Sequence, residues 1–153
     1  MPDRASENHP ATITITQEGE PLGDADVFLF SLDDPSSRWI INGRTDSSGN
    51  AQLFTLAGAQ IRRPGAPEGR FKVTVARSVA DEVPSQPLPR EPAEVHRAYR
   101  EQLRQNWPHT HHFVEEQYMF SDTSPLEVTI ERKRNTLTLN AGQKTRWSVP
   151  MQL

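Results

Sequence analysis

The residues best suited to chemistry lie in Pro108-His109-Thr110-His111-His112. An extended backbone alternates its side chains, so His109 and His111 are expected on one side and His112 on the other. Two imidazoles at that spacing are a pair that transition metals accept, and Glu115, Glu116 or Tyr118 lie close enough in the chain to complete a site. The competing reading is a polar loop that follows a helix and faces solvent. Asp33-Asp34 and Glu115-Glu116 are two pairs of adjacent acids. In a strand such neighbours point apart, so they read as solvated charge rather than as an acid/base pair. No Gly-x-Ser-x-Gly elbow and no Gly-rich phosphate loop is present. Cysteine is absent, which removes disulfides, zinc thiolates and cysteine nucleophiles from consideration. No cofactor is expected.

Composition bounds the remaining classes. The chain has 153 residues, 34% of them hydrophobic, and 13 prolines, a content that disfavours a helical bundle and suits short strands joined by turns. The net charge of −3 is spread without a basic face, so nucleic acid is not an expected partner. No apolar run reaches the ~18 residues that span a bilayer. The first ten residues are polar and read as a flexible leader without the apolar segment of a signal peptide. Two expectations follow: export after removal of a preceding segment, or a cytoplasmic protein if Met1 is the native start.

The elements that must position these side chains are strands. Ala11–Thr16 alternates strictly, placing Ile13 and Ile15 on one face. Glu18-Gly19-Glu20-Pro21 is a turn, and Ala25–Leu32 is apolar on both faces, as expected of a strand covered on both sides. Arg38–Asn42 carries Trp39 and Ile41 opposite Ile40. Asp46-Ser47-Ser48-Gly49-Asn50 is the clearest turn, with Asp46 as acceptor and Gly49 left-handed. Further strands are expected at Ala51–Leu56, at Arg70–Val75, around Val128 and around Leu137, with an edge strand at Thr145–Met151. Trp39 and Trp147 read as core or edge packing.

Residues 77–117 interrupt this pattern. Prolines 84, 87 and 89 precede a helix expected over Glu91–Asn106, with Pro92 in its first turn and Arg97 and Glu101 paired at i,i+4. Its stripe of Val95, Tyr99 and Leu103 would lay it across a sheet. Long insertions of this kind carry contacts, and Tyr99, Trp107 and His112 are its candidates for binding a partner. The reading is all-β: residues 11–153 form one antiparallel sandwich of seven to eight strands with one helix-containing insertion.

Four motifs, in order, resemble carboxypeptidase regulatory-like domains: Gly19-x-Pro21-Leu22-x-x-Ala25-x-Val27; Thr45-Asp46-x-x-Gly49; Gly69-x-Phe71-x-Val73-x-Val75; and Tyr118 followed by Thr123-Ser124-Pro125-Leu126 and Asn135-Thr136-Leu137. The resemblance covers about residues 11–140. It implies a transthyretin-like (prealbumin-like) Greek-key sandwich of the kind found in bacterial envelope lipoproteins. It further implies a secreted or periplasmic location, a lipid anchor in a removed N-terminal segment, and a non-catalytic module binding a protein or glycan at the cell envelope. Metal binding by His109 and His111 is the alternative. The segment from Trp39 to Gly49 is also similar to hydroxyisourate hydrolases, but the first strand lacks their histidine and the terminal Tyr-Arg-Gly-Ser is replaced by Pro150-Met151-Gln152-Leu153. Intradiol dioxygenases hold iron with two tyrosines and a His-x-His pair. Here Tyr99 and Tyr118 flank the histidines instead of preceding them.

Overall fold

The computed structural model describes residues 8–57 and 61–152. The expected leader falls outside them for residues 1–7. Its last residues are anchored: His9 and Ala66 exchange backbone hydrogen bonds of 2.9 and 3.0 Å, and the carbonyl of Pro10 accepts from the amide of Asn135 at 2.8 Å.

Strand β1, Ala11–Gln17, realises the alternation of its sequence, with Ala11, Ile13, Ile15 and Gln17 buried. It is the centre of one sheet. On one side it pairs with β2 (Glu20–Pro21) and β5 (Asn50–Gln52), both antiparallel. On the other it pairs with β12 (Asn135–Asn140), matching Ile13 to Leu137 and Ile15 to Leu139. This last pairing is parallel, a departure from the purely antiparallel sandwich expected.

The second sheet has six strands, all antiparallel, in the order β11 (Glu127–Ile130), β8 (Gly69–Ala76), β3 (Asp26–Ser31), β4 (Ile40–Arg44), β6 (Phe54–Ala57), β7 (Ile61–Pro64). Its inward residues, Val27, Leu29, Ile41, Phe71, Val73, Val75, Val128 and Ile130, join Ile13 and Ile15 in one apolar core. The strand segments number more than the seven or eight expected, because short pieces such as β2 and β5 share one edge of β1.

Strand β3 is not covered on both sides. Val27 and Leu29 are buried, whereas Phe28 and Phe30 are 37% and 44% exposed. Alternation explains the difference: Phe28 and Phe30 point to the outer face, where Ile40 of β4 is also exposed.

The motifs that carried the resemblance act as folding determinants. Oδ1 of Asp46 accepts the amides of Ser48 (2.9 Å) and Asn50 (3.1 Å), and Gly49 takes a φ of 79°. Ser124, buried, donates its hydroxyl to the carbonyl of Val73 (2.5 Å) and accepts the amide of Leu126 (3.3 Å). The side chain of Asn135, also buried, accepts from the amide of Glu131 (2.9 Å) and donates to the carbonyls of Lys133 (2.7 Å) and Glu131 (3.1 Å), closing the turn between β11 and β12.

Residues 77–117 contain β9 (Ser78–Ala80), helix α1 (Ala93–Gln105) and β10 (His109–His112). With β13 (Trp147–Pro150), strands β9 and β10 make a third, antiparallel sheet in the order β13-β10-β9. The histidine segment is thus the middle strand of a sheet rather than a loop. Helix α1 buries no side chain, and Val95 is 41% exposed, so the helix is not laid across a sheet by its apolar stripe as expected. Three apolar residues among charged neighbours are too few to displace water from a whole helical face. Glu101 pairs with Arg104 at 2.6 Å, not with Arg97. No helix among the described residues is long and apolar enough to cross a membrane.

Candidate functional site

Two clusters qualify. The first is the third sheet. Its register sets His111 opposite Ser148 on β13 and opposite Val79 on β9. His109 and His111 lie on the same side, their ring centroids 6.4 Å apart. Nδ1 of His111 is 2.6 Å from Oγ of Ser148, and Nε2 is 2.9 Å from Oδ1 of Asp81. The other carboxylate oxygen of Asp81 accepts the amide of His109 at 2.9 Å. That backbone hydrogen bond, followed by the one from His111, holds the carboxyl of Asp81 below the usual aspartate range. Nδ1 of His109 is 2.7 Å from the carbonyl of Trp107, which only accepts, so this nitrogen carries the proton.

His112 faces the other way. Its Nδ1 is 2.7 Å from Oγ of Ser78, and its ring lies on Trp147 with centroids 4.2 Å apart. Trp147 in turn donates its indole N–H to the carbonyl of Val114 (2.8 Å), and Trp107 donates to the carbonyl of Met151 (2.9 Å). Of the expected partner-binding residues, His112 is therefore engaged inside the sheet, Trp107 is 40% exposed beside it, and Tyr99 is half-buried on α1.

The acids proposed to complete a metal site are elsewhere. Glu115 accepts the amide of Gln143 at 3.1 Å, and Tyr118 packs against the core. Among the described residues no three His, Asp or Glu side chains are placed to hold a metal ion. What does converge is a serine–histidine–aspartate chain. The signal that sequence reasoning passed over was the pairing of two edge strands, which brings Asp81 and Ser148 to His111 from 30 and 37 residues away. A nucleophilic hydrolase also needs donors for the oxyanion and a hollow for substrate.

Two hollows lie at another place. The loop between β3 and β4 folds on itself: the amide of Asp34 donates to Oγ of Ser31 (2.9 Å), and Oγ of Ser36 donates to Oδ1 of Asp34 (2.8 Å). Asp33 is anchored to Arg70, accepting from its amide at 2.9 Å and its Nε at 3.1 Å. Between this loop and the Pro67–Gly69 turn is a cavity of about 280 Å³, walled by Trp39, Ile41 and Phe71 and rimmed by Asp34, Arg38 and Glu68. Trp39, Arg38 and Ile41 also line a larger hollow of about 650 Å³, which runs over Phe28, Phe30 and Ile40 to Lys72. Trp39 therefore borders both, instead of packing into the core or an edge as its sequence context suggested. Its indole N–H and the guanidinium of Arg38 have no hydrogen-bond partner among the described residues.

Compared with known proteins, the chain matches no family model, no curated protein and no solved structure.

Proposed function

We propose that the chain is a transthyretin-like, carboxypeptidase regulatory-like sandwich that acts as a non-catalytic binding module at the bacterial cell envelope. The motif order supports the family reading, together with the folding roles of Asp46, Ser124 and Asn135. A scaffold of that kind specifies no chemistry by itself, so function rests on its surface.

The observation that carries the binding reading is the surface around Trp39. Two hollows meet at one aromatic residue, and the adjoining outer face exposes Phe28, Phe30 and Ile40. Exposed apolar side chains grouped with a few polar ones are the composition of contact surfaces. The histidines fit the role less well, because both ring nitrogens of His111 and one each of His109 and His112 are already hydrogen-bonded within the protein. Binding is thus assigned to the outer face of β3 and β4 and the loop between them, and not to residues 77–117.

The test is amide chemical-shift mapping during titration with soluble cell-wall glycan fragments and with extended peptides, beside an assay with a chromogenic ester. The binding reading expects shifts around Trp39 and no turnover. Ester turnover abolished by Ser148→Ala would replace it with a hydrolase built on Ser148, His111 and Asp81.

A further inference from the structure

The hollow beside Trp39 has a chemistry narrower than binding in general, and its occupant can be argued from that chemistry. An assignment of its ligand rests on the binding function proposed above and deepens it.

Charge comes first. Asp33 is paired with Arg70 at 3.1 Å and Glu68 with Arg132 at 3.2 Å, so two of the three carboxylates at the cavity are compensated. Asp34 and Arg38 remain, and their formal charges cancel. A strongly charged ligand finds no net attraction there. A purely apolar one would strip water from Asp34 and Arg38 without replacing their hydrogen bonds, which opposes binding. The suitable ligand is neutral and carries many hydroxyls.

Shape comes second. At about 280 Å³ the cavity is near the bottom of the ligand-pocket range (~300–1,000 Å³), room for a single ring rather than a chain of side chains. One wall is Trp39. Its polar edge is unlike those of Trp107 and Trp147, whose indole N–H groups are bound to the carbonyls of Met151 and Val114. The Trp39 N–H is available to a ligand, as are the donors of Arg38. Asp34 offers carboxylate oxygens as acceptors, one of them shared with Ser36. An aromatic wall with donors and acceptors at its margin matches a sugar ring, which has C–H groups on its face and hydroxyls at its rim.

The geometry points to a neutral saccharide as the ligand of the Trp39 hollow, with one pyranose ring against the indole and its hydroxyls between Asp34 and Arg38. The neighbouring hollow over Phe30 and Ile40 would take the adjoining part of the same chain.

Calorimetric titration of the whole chain with cellotetraose, chitotetraose and maltotetraose tests this, with a capped proline-rich nonapeptide as the competing class. The same titrations are run on Trp39→Ala, Trp39→Phe, Arg38→Ala and, as a distant control, Trp107→Phe, each checked for an unchanged thermal melt. At least one tetrasaccharide is expected to bind with a Kd of about 0.1–1 mM, some −5 kcal/mol. Trp39→Ala should weaken it at least tenfold, Trp39→Phe by a few fold, and Trp107→Phe not at all. In the wild type, the indole signal assigned to Trp39 through the Trp39→Phe spectrum should be the one that moves on titration, a readout taken on the wild-type fold. No tetrasaccharide binding, or binding that leaves that signal and the Trp39 variants unaffected, overturns the proposal. Peptide binding that depends on Trp39 would overturn the saccharide and keep the binding face. Loss of both would remove the face as well.

Discussion

Oδ1 of Asp81 lies 2.9 Å from Nε2 of His111, and this contact joins the end of β9 to the middle strand of the third sheet. It turns the most reactive-looking residues of the sequence into a strut. The rings that invited a metal are hydrogen-bonded to Ser148, Asp81 and Trp107, and the strand they occupy is held between two neighbours.

The strut predicts a pH response. The carboxyl of Asp81 is held below 3.8 in the folded protein, chiefly by the amide of His109 and then by the side chain of His111. A lowered folded-state pKa means that ionised Asp81 contributes stability above 3.8, and that this contribution is lost as pH falls through the lower folded value. Amide hydrogen exchange at 109–112 should speed up in acid relative to β1. Asp81→Asn should make those amides faster at neutral pH and remove this part of the acid response. Equal protection of 109–112 in wild type and Asp81→Asn across the range would show that the contact does not hold the sheet.

Metal affinity follows from the same bonds. A metal at His109 and His111 must displace Ser148 or Asp81 from His111, and among the described residues no three His, Asp or Glu side chains are placed to hold one. Calorimetry with Zn²⁺ should therefore give no binding in the micromolar range, and His109→Ala with His111→Ala should change nothing. Micromolar binding lost in the double variant would restore the metal site.

Ser124 is the sharpest test of the late motif. Replacing it with Ala leaves the carbonyl of Val73 and the amide of Leu126 without their side-chain partner in the interior. Chemical denaturation should show a loss of about 1–3 kcal/mol, the usual cost of unsatisfied buried groups. A change below ~0.5 kcal/mol would mean that the serine is dispensable to the fold.

Gly49 tests the early motif. Its φ of 79° disfavours a side chain, and a Cβ there would come within 2.7 Å of the carbonyl oxygen of Ile15. In chemical denaturation Gly49→Ala should cost about 1–3 kcal/mol and Asp46→Ala about 1–2, the first from strain and the second from two lost acceptor bonds. An unchanged midpoint in both would contradict the folding role of this turn.

The framework was legible in the sequence because local rules decide it. Alternation placed Ile13, Ile15, Phe71, Val73 and Val75 inward, and Asp46 with Gly49 marked a turn through backbone needs alone. Where both alternating positions are large and apolar, local rules are silent, and Phe28 and Phe30, expected to be covered, are exposed on the outer face. The parallel pairing of β1 with β12 is a contact between residues more than a hundred apart, which no turn signal announces. His109 and His111 sharing a side was foreseen from strand geometry. Their partners were not, since Asp81 and Ser148 reach them only through strand pairing. Trp39 looked like packing because its neighbours Ile40 and Ile41 are apolar. Its place at the mouth of two hollows depends on how the Asp33–Arg38 loop folds over the Pro67–Gly69 turn.

The most direct test of the account is the map of amide shifts on the ¹⁵N-labelled chain, titrated with soluble cell-wall glycan fragments and extended peptides. The account predicts a continuous patch of shifts from the Asp33–Trp39 loop across Phe30 and Ile40 to Lys72, with β9, β10 and β13 unchanged. Shifts confined to the sheet of His109, His111 and Ser148, with Trp39 and its loop unmoved, would contradict it.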